Sequence, residues 1–339
     1  MKNQLRSIYQ KYILDGLSAM ALGLFASLIV GLILRTSAEQ LLKIWPQAVF
    51  LIPLQEIGSA AMAMMGPAIA IAVSYKLKAP LLVLVASMVA GQLGALYGGP
   101  AGAYLSIVIA IEAGTLISKK TPLDIIITPM VTMIAGFLVA ISAGQLIGVL
   151  MSGLGIVIIE ATKAQPFIMG IIVSVIMGMI LTAPISSAAL ALMLQISGLA
   201  AGAATAGCCA QMVGFALMSR KDNKSGEVIA QGLGTSMLQV SNIIRNPWIW
   251  VPPTLAAAIT GPLATIVFKM ENVAAGAGMG TSGLVGVLLT FQTMGFTTDV
   301  LLKVLALYIV LPGVLSVLFY EILFRMNKIK TGDCTIKID

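Results

Sequence analysis

Histidine is absent from this chain of 339 residues, and charged residues make up only 10% of it. Without histidine the chain has no imidazole base, no histidine metal ligand and no phosphohistidine of its own. A soluble domain carries about 25% charged residues, so the charge present is too small to cover a water-facing surface. The three cysteines are too few for a disulfide framework. These shortages exclude a soluble enzyme, a disordered regulator and a disulfide scaffold.

Apolar residues are abundant instead, at 59% of the chain. A hydrocarbon core about 30 Å thick needs about 20 apolar residues per crossing helix, and the chain supplies roughly ten such segments. Its 34 glycines and 14 prolines fall within the apolar runs, which is typical of packed and interrupted membrane helices. We therefore predict an all-α polytopic membrane protein, one membrane domain over 1–339, with about ten transmembrane helices and broken or re-entrant segments.

Basic residues predict the orientation in the membrane. The chain has 20 Lys and Arg against 13 Asp and Glu, and the basic residues concentrate in short loops and at the ends, as cytoplasmic segments do. The N-terminus, the loop 220–227 and the tail 324–339 are expected in the cytoplasm, and the charge points to a lipid bilayer rather than nucleic acid as partner. Residues 149–163 are apolar but short, and the pattern leaves open whether they cross.

Proline positions suggest an internal repeat. Pro67 in MMGPAIAIA matches Pro184 in LTAPISSAA, and the charge preference of the neighbouring loops reverses between the two copies. We expect residues 50–150 and 167–268 to form an inverted repeat, an arrangement in which transporters place the solute near the midplane. Chance agreement of prolines is the alternative.

Two carboxylates lie well inside apolar runs, Glu56 and Glu112. An acid within a span costs about 2.5–3.5 kcal/mol on insertion scales, so it usually faces a cavity or a partner. Both are candidates for accepting solute hydroxyls or carrying a proton. A paired structural carboxylate is the alternative for each.

Thr121-Pro122 and Asn246-Pro247 each begin an apolar segment after a basic residue. A Thr or Asn cap followed by proline starts a helix, and the free amides of such an end bind hydroxyl or anionic groups. Thr121 and Asn246 are therefore candidate solute contacts, unless these are plain helix starts at the lipid interface.

A polar stripe follows one side of the apolar segment 228–244. Gln231, Thr235, Gln239 and Asn242 fall near one helical face. Such a stripe lines a cavity or holds packed helices together. We take Gln231, Gln239 and Asn242 as candidate solute ligands.

GAGMGTSG at 276–283 is rich in glycine but lacks the Gly-Lys-Ser/Thr ending of a phosphate-binding loop. Irregular backbone at membrane depth survives beside protein or water, so we predict a re-entrant or unwound segment within 273–297, with Thr281 toward the solute. Close helix packing through small residues is the alternative.

At these motifs the sequence resembles the second, stand-alone family of phosphotransferase-system EIIC membrane proteins, some of which are called perfringolysin O regulator-like. The similarity runs over nearly the whole chain and is most specific in 234–286. It is carried by KKTPLDIIITP, GTSMLQVSNIIRNPWIWVPPTLAAAITGPLATIVFKMEN and GAGMGTSG.

The resemblance implies a multi-pass protein of the bacterial cell membrane related to sugar-translocating subunits. NPWIWVPP is distantly similar to the Asn-Glu-Pro stretch that faces the sugar in cellobiose- and lactose-type EIIC proteins, which maps Asn and Pro onto Asn246 and Pro247. The Glu of that stretch and the family's histidine are missing here. Because apolar spans take up the whole sequence, we expect no attached IIA or IIB domain, and phosphorylation would need separate partner proteins.

We therefore expect a transporter of a small polar solute, a sugar above all, that works by alternating access. A membrane-embedded sensor or regulator of gene expression is the alternative. No catalytic residue, metal ligand or cofactor is expected, because the chain shows no Ser-Lys dyad and no pair of acids at catalytic spacing. The sequence leaves open whether the protein forms a homodimer.

Overall fold

The apolar runs form helices throughout residues 8–162 and 164–336, the parts of the chain that the computed structural model describes. Every regular element in these two ranges is a helix. Lys2 and Arg6, part of the expected cytoplasmic N-terminus, lie outside them. The chain divides into two compact units, Met1–Met151 and Ser152–Asp339.

Five helices begin in the first unit. The pair α2 and α3 is bent by 57° at its short break, close to Pro67, one of the two matched prolines. In order the helices are α1 (Tyr9–Lys43), α2 (Val49–Ala63), α3 (Met65–Lys76), α4 (Leu81–Ile117) and α5 (Asp124–Thr162).

Helix α4 folds back on itself at the stretch YGGPAG. Gly98 and Gly99 leave helical geometry, with φ of −142° and +58°, and glycine is the residue that adopts a positive φ without strain. A Cβ added to Gly94 would lie 2.5 Å from the carbonyl oxygen of Gly102, so the arms on either side of the break touch. YGGPAG is therefore a short turn between two helical arms of α4, one on each side of Gly98 and Gly99.

Helix α5 contains most of the segment 149–163, for which the sequence leaves open whether it crosses the membrane. Residues 149–162 continue the helix that begins at Asp124 without a break. Helix α5 begins two residues beyond Pro122, at Asp124, so the predicted cap Thr121 lies outside it. The Asp124 carboxylate accepts hydrogen bonds from the Lys119 amide at 2.7 Å and from the Thr128 hydroxyl at 2.6 Å, and an acidic residue in the first turn suits the positive end of the helix dipole.

Nine helices begin in the described part of the second unit, which also contains short helical turns at Ala230–Gly234 and Ser236–Gln239. They are α6 (Pro166–Thr182), α7 (Ser187–Met193), α8 (Gly198–Met218), α9 (Ser225–Ile229), α10 (Val240–Arg245), α11 (Pro247–Val267), α12 (Ala274–Ala277), α13 (Ser282–Met294) and α14 (Thr298–Arg325).

Helix α8 is the centre of the second unit and packs against α6, α11 and α14. Almost all of its side chains are buried. A Cβ added to Gly207 would lie 1.9 Å from the carbonyl oxygen of Ser174, so α8 and α6 meet backbone to backbone. The Ser174 hydroxyl in turn donates to the Ala257 carbonyl of α11 at 2.8 Å. Small residues and hydroxyls therefore hold these helices together, as expected in a membrane.

In the described residues, six helices are long and apolar enough to cross a membrane, or seven with the bent pair α2–α3. The prediction of a polytopic all-helical protein is confirmed. The expected ten crossings are not confirmed by this count, and the inverted repeat stays a prediction.

Candidate functional site

Gln211 is the centre of a buried polar cluster in the second unit. Its side chain lies in the apolar helix α8 and is fully buried. The Thr182 hydroxyl donates to its Oε1 at 3.2 Å, and its Nε2 donates to the Thr254 hydroxyl at 3.1 Å. Thr182 also shares a hydrogen bond of 2.8 Å with the Ser236 hydroxyl. We call these four residues the inner cluster, and all of its groups are uncharged.

Three interrupted segments meet around the inner cluster. The first, 183–186, separates α6 from α7, because Pro184 disfavours helical geometry in the residue before it. The second is 230–239, where Thr235 is extended with φ of −159° and ψ of 139°. The third is the glycine-rich 278–284. Residues at each break therefore have backbone groups without a helical partner.

Side chains tie these breaks to one another. The Ser187 hydroxyl, at the start of α7, donates to the Gly278 carbonyl at 2.7 Å. The Thr281 hydroxyl donates to the Gly232 carbonyl. The hydrogen bond between the Thr182 and Ser236 hydroxyls connects the first break to the second. All three breaks thus belong to one polar region beside α8.

The glycine-rich segment is an unwound turn between α12 and α13. Gly280 has a φ of +53°, and a Cβ there would lie 2.8 Å from Cys208 of α8. Only glycine meets both conditions, a left-handed backbone and a close approach. This position explains Gly280 of GAGMGTSG and agrees with the predicted unwound segment, whereas re-entry into the membrane stays a prediction.

Three buried polar groups in this unit have no hydrogen-bond partner among the described residues: the Ser282 hydroxyl, the Ser316 hydroxyl and the Trp250 indole N–H. Ser282 adjoins Thr281 in the unwound turn, and Trp250 accepts through its carbonyl from Thr254 at 2.7 Å. A buried polar group left unpaired costs about 1–3 kcal/mol. Ser282, which lies beside Thr281, and Trp250, which follows the Asn246 cap, are therefore candidates for a hydrogen bond with a bound ligand.

The predicted stripe forms a second network. Gln239 donates to Gln231 at 2.8 Å, and Asn242 donates to Gln239 at 2.8 Å. Gln231 donates in turn to the Ser219 hydroxyl at 2.9 Å. The three amides thus face one side, as predicted, although the break at Thr235 divides the expected single helix.

The C-terminal segment 328–336 covers this stripe. Gln239 and Asn242 each donate to backbone carbonyls of the segment at 2.9 Å, those of Cys334 and Thr335. Asn246 donates to the Lys328 carbonyl at 2.9 Å and to the Asp333 carboxylate at 2.7 Å. The amides predicted as solute ligands are therefore occupied by the chain itself in this state.

The loop after α8 holds the same segment from the other side. The Asp222 carboxylate accepts from the amides of Gly332 and Cys334 at 3.0 and 3.2 Å, and Asn223 donates to the Cys334 carbonyl at 2.9 Å. Cys334 is fully buried. Burial raises the pKa of its thiol above the usual range, and the Asp222 and Asp333 carboxylates raise it further.

The remaining candidates, Glu112, Glu56 and Thr121, lie in the first unit. Glu112 accepts a salt bridge of 2.9 Å from Lys11, and its side chain is 39% exposed. The Lys11 ammonium also donates to the Tyr12 hydroxyl at 2.9 Å. Glu56 is exposed. The Thr121 hydroxyl is buried and has no partner among the described residues.

Sequence reasoning missed all four residues of the inner cluster. It identified Pro184 as a repeat marker but not Thr182 two residues before it, and it identified Thr281 but not Ser282. Gln211 had a clear signal, since it is the only side-chain amide in the apolar run 198–218. Asn246 does cap α11 as predicted, because its Oδ1 accepts from the Trp248 amide at 3.2 Å.

Comparison with protein families gives one match, a family model described as "Phosphotransferase system, EIIC", which covers residues 14–336. Comparisons with curated proteins and with solved structures found no match.

Proposed function

Since the chain belongs to the phosphotransferase system EIIC family, and is thus a multi-pass cell-membrane component of sugar transport, we propose that it is a carrier that binds a neutral sugar at the inner cluster of its second unit. The observation that carries this proposal is the meeting of three broken segments around Gln211. Discontinuous helices of this kind form the solute sites of secondary transporters.

The chemistry of the inner cluster suits a sugar. Amides and hydroxyls both donate and accept, as sugar hydroxyls do. No charged side chain belongs to the cluster, so it favours a neutral solute over an ion. Ser282 and Trp250 add two unpaired polar groups in the same unit, and an indole ring also provides an apolar face for a sugar ring.

The proposed site includes Thr281 and extends the predicted set by Thr182, Gln211, Ser236 and Ser282. Gln231, Gln239, Asn242 and Asn246 would reach a solute only in a state in which segment 328–336 has left them. Glu112, Glu56 and Thr121 remain predicted contacts of the first unit. Alternating access would expose the inner cluster to each side of the membrane in turn.

Separate IIA and IIB proteins are the proposed source of the phosphoryl group. The chain contains no histidine and therefore cannot form a phosphohistidine. Its own residues would bind the sugar, exclude water and present a hydroxyl to the partner.

The test is sugar binding to the purified protein in nanodiscs, measured by intrinsic tryptophan fluorescence in a Trp45→Phe background, which leaves Trp248 and Trp250 as the fluorophores. Exchange of labelled sugar in proteoliposomes is the second readout. We expect saturable binding of at least one sugar and exchange of the same sugar. Binding without exchange would favour the sensor over the carrier. Absence of binding across hexoses, pentoses and disaccharides would refute the sugar site.

A further inference from the structure

A groove of about 530 Å³ runs along the outer face of α14, between this helix and the end of α8. Its walls are apolar and include Leu217 of α8 with Val314, Val317 and Leu318 of α14. Val314 is 61% exposed and Leu318 is 53% exposed. No part of the described chain fills the groove.

One end of the groove is cationic. Arg220 and Arg325 line it there together with Glu321. The Glu321 carboxylate is already paired with the Lys221 ammonium at 2.9 Å. Neither arginine forms an ion pair with any residue that the structure describes. Arg220 and Arg325 also attract the Glu321 carboxylate electrostatically, so three cationic side chains share one carboxylate and this end of the groove keeps a net positive charge.

The distance between the two parts matches a lipid. Gly313, at the apolar end, and Arg325 are separated by roughly 18 Å along the helix, at about 1.5 Å per residue. One leaflet contributes about half of the hydrocarbon thickness of roughly 30 Å. An acyl chain along the apolar wall thus places its phosphate at the arginines.

We propose that this groove binds one anionic phospholipid, with an acyl chain against Val314 and Leu318 and the phosphate between Arg220 and Arg325. Guanidinium groups bind phosphate oxygens in pairs of parallel hydrogen bonds. Lys221, Lys328 and Lys330 follow the same helix ends, and basic residues mark the cytoplasmic side. The lipid therefore belongs to the inner leaflet, whose anionic headgroups attract such clusters.

The experiment is native mass spectrometry of the purified full chain in detergent that contains equal amounts of phosphatidylglycerol and phosphatidylcholine. We expect the protein to retain one phosphatidylglycerol with a preference of about tenfold or more. The double variant Arg220→Gln/Arg325→Gln should reduce this preference to near one. Arg245→Gln, which removes an exposed arginine outside the groove, should leave it unchanged.

The apolar wall has its own variant. Val314→Trp fills the groove and should expel the lipid, whereas Ile322→Trp, at an exposed position of α14 outside the lining, should retain it. Equal lipid preference in the wild type and the double arginine variant would overturn the proposal. So would displacement of the lipid by millimolar inorganic phosphate, which would indicate an anion site without an acyl groove.

Conversion of a dimer to a monomer by Val314→Trp, with unchanged lipid retention, would assign the groove to a second copy of the chain instead.

Discussion

The side-chain amide of Gln239 donates a hydrogen bond of 2.9 Å to the backbone carbonyl of Cys334, which lies 95 positions further along the chain. The same residue accepts from Asn242 and donates to Gln231. Its amide thus connects the buried stripe to the C-terminal segment. Docking of this segment on the stripe therefore depends on side-chain amides, which donate to backbone carbonyls of the segment.

Replacement of Gln239 by Ala is expected to release the segment 328–336. The variant removes the bond to Cys334 and leaves Gln231 and Asn242 with unpaired buried groups, at a cost of about 1–3 kcal/mol. Alkylation of Cys334 by N-ethylmaleimide, measured by mass spectrometry of the C-terminal peptide, should become about tenfold faster or more. Gln195→Ala, which removes an exposed amide in the same unit, is the matched control. Equal rates in the wild type and Gln239→Ala would contradict the docking.

Docking should also weaken at alkaline pH. The pKa of the Cys334 thiol is raised in the docked state by burial and by Asp222 and Asp333. A raised folded-state pKa gives stability that is present below the undocked pKa, about 8.5 for a free thiol, and is lost as pH rises above it. Tryptic cleavage after Lys328 and Lys330, normalised to cleavage after Lys120, should therefore increase above about pH 8.5.

Cys334→Ala separates this effect from a general loss of structure. It removes the titrating thiol, so the increase in cleavage should disappear while cleavage at neutral pH remains slow. A variant that shows the same alkaline increase as the wild type would assign the pH dependence to another group.

Residue spacing predicted which side chains face one another better than it predicted what they bind. The spacing of Gln231, Gln239 and Asn242 placed their amides on one side, and the hydrogen bonds among them confirm this. Their other partners are backbone carbonyls of Cys334 and Thr335. A backbone carbonyl is present at every residue, so no sequence pattern indicates that this tail would dock.

The helix breaks were predictable from proline and glycine, but their meeting in space was not. Pro184 and the glycines of 276–283 each indicate a local interruption. The Thr182 to Ser236 bond at 2.8 Å joins residues that are 54 positions apart. Its formation depends on the packing of the turn Ser236–Gln239 against α6 and α8, and an isolated Thr or Ser in an apolar run is too common to signal it.

Replacement of Glu112 tests the role of the first unit in transport, because the change should have little effect on folding stability. Its salt bridge with Lys11 is about two-fifths exposed on both sides, and exposed pairs contribute about 0–1 kcal/mol. Glu112→Gln should thus leave the melting temperature within a few degrees of the wild type. If the carboxylate takes part in transport, as predicted, labelled sugar exchange is lost in this variant.

Lys11→Gln is the control, because it breaks the same ion pair but keeps the carboxylate. We expect it to retain exchange. Equal losses of exchange in both variants would show that the ion pair is needed for structure. Normal exchange and normal pH dependence in Glu112→Gln would show that the carboxylate takes no part in transport.

Gln211→Leu tests the inner cluster most directly. Leucine keeps a similar volume in α8, and Thr182 and Thr254 retain other partners, Ser236 and the Trp250 carbonyl, so the protein should fold. The loss of one amide that both donates and accepts should raise the Kd for sugar about tenfold or more, since a hydrogen-bonding group is replaced by an apolar one. Thr260→Val is the matched control. Among the described residues this buried hydroxyl hydrogen-bonds only to the Ala257 carbonyl, at 3.4 Å, and it lies outside the cluster. A Kd that rises equally in both variants would reflect general loosening of the bundle. An unchanged Kd in Gln211→Leu would mean that the inner cluster only joins helices α6, α8 and α11, and the sugar site would have to be sought elsewhere in the chain.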